Sequence, residues 1–248
     1  RPRSSPTQIS PEWQNLVVEL RRLRMTGAAI AKKLRIPRST VARILKRHGL
    51  ERLKKLDPPV RVQRYEKTRP GELIHLDIKK LGRVKGIGHR ITGQRTAHRR
   101  TRGIGWEFVH VCIDDFTRLA YVEVLEDEKG STAVGFLERA AAWFAEQGVI
   151  VERVMTDNGS CYRSKDFAAA VVGLGAKHSK TRPYTPRTNG KAERFIQTLM
   201  REWAYARPFT TSYQRRAALP AWLRRYNERR PHAGIGGASP ITRLRSAA

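Results

Sequence analysis

Three acids stand apart in a chain that otherwise favours bases: Asp77, Asp157 and Glu193. Asp77 lies inside ELIHLDIKKL (72–81), where Ile74, Leu76 and Ile78 alternate with His75, Asp77 and Lys79. That period of two reads as a strand with Asp77 on its polar face. Asp157 follows the apolar residues Val151, Val154 and Met155 and precedes the turn pair Asn158-Gly159. A carboxylate placed there ends a strand without being drawn into a following helix, and ligands gather beside the C-terminal edges of sheet strands. Residues 171–248 contain three acids, Glu193, Glu202 and Glu228. Glu193 comes one turn into a helical stretch, after Thr188-Asn189-Gly190, with 35 residues between it and Asp157. Hard oxygen ligands from separate elements suit Mg²⁺ or Mn²⁺. Two such ions about 3.5–4 Å apart clamp the attacking and leaving oxygens of a phosphoryl transfer. Metal-assisted chemistry on phosphodiesters is therefore the chemistry this set could do. The other acids have plainer explanations: hairpin and surface roles for Asp114, Asp115, Glu126, Asp127 and Glu128, and exposed helix charge for Glu202 and Glu228.

The charge distribution indicates what such a site acts on. Fifty Lys and Arg against 22 Asp and Glu give a net charge of +28. Residues 1–70 contribute +14, 71–102 contribute +7 and 171–248 contribute +13, whereas 103–170 carries −6. Basic flanks of this size repel themselves unless a polyanion lies nearby, and nucleic acid is the expected one. An acidic centre does not suit a purely structural basic protein. No run of eighteen apolar residues occurs, so no membrane span is expected. The chain begins at Arg1 with no apolar signal segment. Cys112 and Cys161 lack CxxC spacing, which argues against zinc and a disulfide framework and for a reducing, cytoplasmic setting.

The elements that must position the acids can be read in order. Residues 11–24 show helical spacing at Trp13, Leu16, Val17, Leu20 and Leu23. Thr26 caps a second short helix over 26–34. Pro37 breaks it, Arg38 or Ser39 opens a third helix through Arg47, and Gly49 closes that one. Ala31, Ile36, Val41 and Ile44 fall where a helix-turn-helix needs them, although Arg35 stands at the turn where glycine is usual. The third helix then exposes Arg38, Ser39, Thr40, Arg43, Lys46 and Arg47 to phosphates and base edges. Residues 54–70 read as a basic, proline-containing linker. Strands are expected at 72–81, 106–113, 119–125, 149–156 and 176–181. Helices are expected at 131–147 (capped by Ser131, with Val134, Leu137, Ala141 and Phe144 inward), 165–174, 188–206 and about 212–229. The order gives an α/β fold with a mixed five-stranded sheet. A glycine-containing basic insertion at 83–105, with Arg95, Arg99 and Arg100, is expected to meet DNA.

The stretches LIHLDIKKLG, VCIDDFTRLAYVEVL, MTDNGSCYRS, YTPRTNGKAERFIQTLMREWAYARP and RRYNERRPHAGIGGASP carry a family likeness. Over roughly 71–245 they resemble the catalytic core of insertion-sequence transposases of the retroviral-integrase superfamily, and the N-terminal helix-turn-helix suits that family. The resemblance implies a ribonuclease H-like fold and a DDE triad of Asp77, Asp157 and Glu193 holding two Mg²⁺ or Mn²⁺ ions. It also implies cleavage of transposon-end DNA, joining of the 3′-hydroxyl ends to target DNA, and a dimer or higher multimer on that DNA, nucleoid-associated in a bacterial cytoplasm. The expected domains are a helix-turn-helix at 1–53, a linker at 54–70, a catalytic core at 71–210, and a C-terminal helix with basic tail at 211–248.

Lys191, Arg194, Gln197 and Arg201 share the Glu193 helix, and some of them are expected to touch DNA phosphates. Tyr184 and Asn189 are candidates for positioning substrate. The competing reading is a catalytically inactive, transposase-derived regulator that only binds DNA; the intact triad opposes it. A nuclease acting on RNA–DNA hybrid is opposed by the separate duplex-DNA module.

Overall fold

A computed structural model describes residues 9–57, 65–86, 104–181 and 189–247. The expectations for Arg95, Arg99, Arg100 and Tyr184 lie outside the described residues. The chain divides into two units, 1–64 and 65–248.

In the first unit, α1 (Pro11–Arg22), α2 (Gly27–Leu34) and α3 (Arg38–Arg47) bury Val17, Leu20, Ile30, Ala31, Val41, Ile44 and Leu45 against one another. The Thr26 hydroxyl accepts from the Ala29 amide at 3.2 Å, the expected cap. Arg35 takes up the left-handed turn conformation (φ 54°) that glycine usually occupies. The inward stripe of α1 is displaced from the expected one. Trp13, Leu16 and Leu23 are exposed, while Val18 and Arg21 turn in. Arg21 is buried because its guanidinium donates to the carbonyls of Leu50, Met25 and Glu51.

In the second unit the sheet runs β3-β2-β1-β4-β5. The strands are β1 (Ile74–Gly82), β2 (Trp106–Asp114), β3 (Ala120–Leu125), β4 (Arg153–Thr156) and β5 (Lys177–Lys180). The first three pair antiparallel, and β4 and β5 add on parallel. One face carries Ile74, Leu76 and Cys112 and is covered by α4 (Gly130–Glu146) and α5 (Lys165–Gly173) through Phe136, Phe144, Phe167 and Val171. The other face carries Leu81, Val109, Val111 and Ile113. It is covered by α6 (Gly190–Leu199) and by α8 (Leu219–Glu228), which follows the short α7 (Ser212–Ala217). The last helix is α9 (Pro240–Arg245).

Several boundaries differ from the sequence expectation. The inward residues of α4 are Ala133, Phe136, Leu137, Ala140 and Phe144, and no side chain caps it. Asp127 accepts instead from the Lys129 amide and the Thr132 hydroxyl at its start. The expected helix 188–206 is α6 plus a π-helical turn at Met200–Ala204. The expected helix at about 212–229 is split into α7 and α8, and Leu219, Trp222 and Tyr226 pack into the second core beside Phe195 and Trp203. Arg215 is 1% exposed, with its guanidinium on Glu107 and the Gly82 carbonyl, which fixes α7 to the ends of β1 and β2.

The turn into β1 depends on Gly71. Its φ is +76°, and a β-carbon there would come within 2.0 Å of the Ile150 carbonyl oxygen. Its amide donates to Asp114 and its carbonyl accepts from the Glu152 amide, at 2.9 Å each. Gly71→Ala should therefore lower unfolding free energy by about 3 kcal/mol, from left-handed strain plus a backbone clash. Urea unfolding of the full chain measures this, and an unchanged midpoint would contradict the role given to the turn.

Candidate active site

The sheet brings the two aspartates together by register. Parallel pairing of β1 with β4 is Ile74–Val154 and His75–Met155. Asp77 and Asp157 each lie two residues beyond the last pair, one on either strand. Asp77 is half-buried, and its carboxylate accepts from the Ile78 amide at 2.8 Å. Asp157 is exposed, and its Oδ1 accepts from the Gly159 amide at 2.8 Å. Asn158 does not face the site; its Nδ2 donates to the Thr181 carbonyl at 2.9 Å and ties the turn to the end of β5. A β-carbon on Gly159 would meet Asp157 Oδ1 at 2.9 Å, so the glycine leaves room for the carboxylate.

Glu193 is exposed in the first turn of α6, whose buried stripe is Ala192, Phe195, Ile196 and Leu199. Asp77 feels the charges of both Asp157 and Glu193. Burial pushes the Asp77 carboxyl up to about 6, the Asp157 and Glu193 carboxylates add to that rise, and the Ile78 amide opposes it. Negative charge converging on a half-buried carboxylate is the situation a cation relieves. The donors are hard oxygens of the kind Mg²⁺ and Mn²⁺ take. As the side chains stand, no three His, Cys, Asp or Glu among the described residues are close enough to hold an ion. Asp157 and Glu193 are both exposed.

Asp114 and Asp115, expected to play hairpin and surface roles, are both completely buried. Asp114 accepts from the amides of Gly71 and Thr117 and from the Thr117 hydroxyl. Asp115 accepts from His75, Lys191 and the Lys67 amide. Burial alone pushes the Asp115 carboxyl up, but these three donors outweigh it and hold it at about 2.

Two residues at the start of the Glu193 helix also differ from expectation. Lys191 is turned inward onto Asp115 and the Tyr65 carbonyl, so its ammonium is already engaged rather than offered to phosphate. Asn189 is 2% exposed and bonds His75 and the Leu76 carbonyl, which leaves it structural rather than substrate-facing. Arg194 and Arg201 remain exposed, Arg194 donating to Gln197. In the first unit Arg38, Ser39, Arg43, Lys46 and Arg47 are exposed along α3, and Thr40 is half-buried.

This fold and site define a class: an integrase-type catalytic core with a separate helix-turn-helix. Family models for an integrase core domain match residues 67–186 and again 174–240, and a homeodomain-like domain model matches 13–54. Together the two integrase-core matches run from residue 67 to residue 240, and this part of the chain belongs to the integrase-core family. Among relatives, it is 34% identical over 94 residues to transposase InsD of the insertion element IS2A/D/F/H/I/K from Escherichia coli. The same holds for transposase InsD of IS2 on the F plasmid of strain K12. These matches take in 38% of this chain and span 31% of each relative. A chain of the simian T-cell lymphotropic virus intasome in complex with a PP2A regulatory subunit shares the fold. Its TM-score is 0.56 at 19% identity, over 94% of this chain and 74% of that one.

Two substitutions test the geometry. Gly159→Ala should force the Asp157 carboxylate off the Gly159 amide; metal-dependent cleavage is expected to fall about tenfold to a hundredfold while thermal unfolding hardly moves. Full activity would show that this carboxylate need not be held. Arg43→Ala should reduce discrimination between element-end and random duplexes by about 1–3 kcal/mol in a competition binding assay, and an undiminished ratio would remove Arg43 from base readout.

Proposed function

We propose that the protein is a DNA transposase: it binds the ends of its element, cleaves them and joins the 3′-hydroxyls to target DNA. The observation that carries this is the register that sets Asp77 and Asp157 side by side on β1 and β4, with the charge of Glu193 also felt at Asp77. Burial raises the Asp77 carboxyl to about 6, and the Asp157 and Glu193 charges add to that rise. The integrase-core matches and the transposase relatives support the same reading.

Asp77, Asp157 and Glu193 would hold Mg²⁺ or Mn²⁺, two ions in the full assembly. When bound, such ions supply Lewis-acid charge at the attacking and leaving oxygens of a phosphodiester. The chain's own contribution is placement. The Ile78 amide fixes Asp77, the Gly159 amide fixes Asp157, and the packed stripe of α6 fixes the backbone of Glu193. Arg194 and Arg201, exposed on and just beyond the same helix, are suited to neutralising phosphates beside the acids. Joining exchanges one phosphodiester for another, so it needs no nucleoside triphosphate. The basic exposed face of α3 is suited to reading the element end in the major groove. The working form on paired ends is a dimer or larger, acting in the cytoplasm at the nucleoid. Among the described residues no helix is long and apolar enough to cross a membrane.

Asp157→Asn is expected to abolish Mn²⁺-dependent cleavage and joining, a loss of at least about a thousandfold, while duplex affinity stays within about twofold of the parent protein. Joining by that variant would overturn the triad assignment. Absence of any joining by the parent protein, with end DNA and Mn²⁺ supplied, would favour the regulator. Binding should also weaken by about a thousandfold between 50 and 200 mM salt, because many phosphates are neutralised at once. A flat salt response would contradict the basic surfaces as the DNA contact.

A further inference from the structure

His75 and Asp77 share one face of β1, and the side chains around His75 form a closed set. The ring is fully buried, with Nδ1 3.0 Å from Asn189 Oδ1 and Nε2 2.8 Å from Asp115 Oδ1. Asn189 immediately precedes α6, and its Nδ2 donates to the Leu76 carbonyl at 3.0 Å. Lys191, two residues before Glu193, donates from Nζ to Asp115 Oδ1 and to the Tyr65 carbonyl, the latter at 2.9 Å. Its ammonium lies 4.6 Å from the centroid of the Tyr65 ring. The second oxygen of Asp115 accepts from the Lys67 amide at 2.7 Å. The Asp115 amide donates to the Leu73 carbonyl at 2.8 Å.

One buried carboxylate thus gathers three segments. Through His75 it reaches the strand of Asp77, through Lys191 the helix of Glu193, and through Lys67 the strap Tyr65–Lys67 by which the chain enters the second unit. Its exposure and that of His75 are both 0%. Removing one member therefore leaves another buried and unpaired rather than solvated.

We infer that Asp115 is a positioning residue that fixes Glu193 relative to Asp77, and that the docked strap Tyr65–Lys67 is a working part of that fixture. Losing the strap's hydrogen bond frees Lys191 and the first turn of α6, and Glu193 loses its alignment although the catalytic acids themselves are untouched. The inference rests on the triad reading above. Positional errors of about 1 Å at reacting groups cost on the order of a hundredfold in rate.

The test uses the full chain with Asp115→Asn, Lys67→Pro and, as reference, Glu193→Gln. Lys67→Pro removes the amide donor of a half-buried residue together with its ion pair to Glu72, so Lys67→Ala, which loses only the ion pair and is expected to match the parent protein, is measured beside it; Lys67→Pro keeps the inference open to disproof if Asp115→Asn fails to fold. Two readouts are taken. The Mn²⁺ concentration for half-maximal end joining should rise about tenfold in Lys67→Pro and Asp115→Asn, with duplex affinity unchanged. Hydrogen exchange of a peptide covering residues 189–195, measured without metal, should speed up about tenfold in both variants and stay at the parent rate in Glu193→Gln. If exchange and metal requirement both remain at parent values in Lys67→Pro, the strap has no role in the fixture and the inference fails. If Glu193→Gln still joins ends, the triad reading fails instead, while the exchange result continues to report on the clamp.

Discussion

The buried amide of Asn189 is the contact on which the site depends. Its Nδ2 bonds the carbonyl of Leu76, the residue between His75 and Asp77, and its Oδ1 bonds His75 itself. Through that one side chain the start of α6 is joined to the strand that presents the first carboxylate. Without it, a buried carbonyl and a buried imidazole each lose a partner, at roughly 1–3 kcal/mol apiece. The packed stripe of α6 holds the helix on the sheet face, but a helix on an apolar face can rotate or slide. The polar bonds at its start set the position of Glu193 along β1.

A second constraint is electrostatic. In a chain of net charge +28, Asp77 feels two acids drawn from distant parts of the sequence, Asp157 and Glu193. Burial is the main reason the Asp77 carboxyl is raised, and the two neighbouring acids add to it. On the proposed reading, a divalent cation would turn the same arrangement favourable, and the basic flanks would bring the polyanion that it acts on. The two signs of charge thus serve different ends. Arginines and lysines occupy surfaces suited to phosphate, and Asp77 and Asp157 stand side by side on the strands where the proposed chemistry would occur.

Much of this is legible in the sequence because it is written in local periodicity. The alternation around Asp77, the Asn-Gly turn after Asp157 and the stripe Ala192, Phe195, Ile196 and Leu199 each correspond to an observed element. What is not legible rests on partners far apart in the chain. Asp115 and Lys191 are 76 positions apart, and neither residue type signals burial. Lys191 reads as a phosphate contact and Asp115 as a surface acid because composition treats each charge as solvated. Only the fold brings them together. Arg215 and Glu107, 108 positions apart, are a second such pair. Helix faces are rotated from the expected stripe: Val18 and Arg21 turn in on α1 while Trp13, Leu16 and Leu23 face out, and Ala133, Phe136 and Ala140 turn in on α4.

The three-carboxylate site is tested most directly by locating the cation. Crystals of the full chain grown with Mn²⁺ and an element-end duplex give an anomalous signal that marks the ion independently of any activity. The expected result is a peak between Asp77 and Asp157 with the Glu193 carboxylate turned toward it. A peak elsewhere, or strong occupancy at Asp77 and Asp157 with Glu193 still facing solvent on DNA, would contradict the three-carboxylate site.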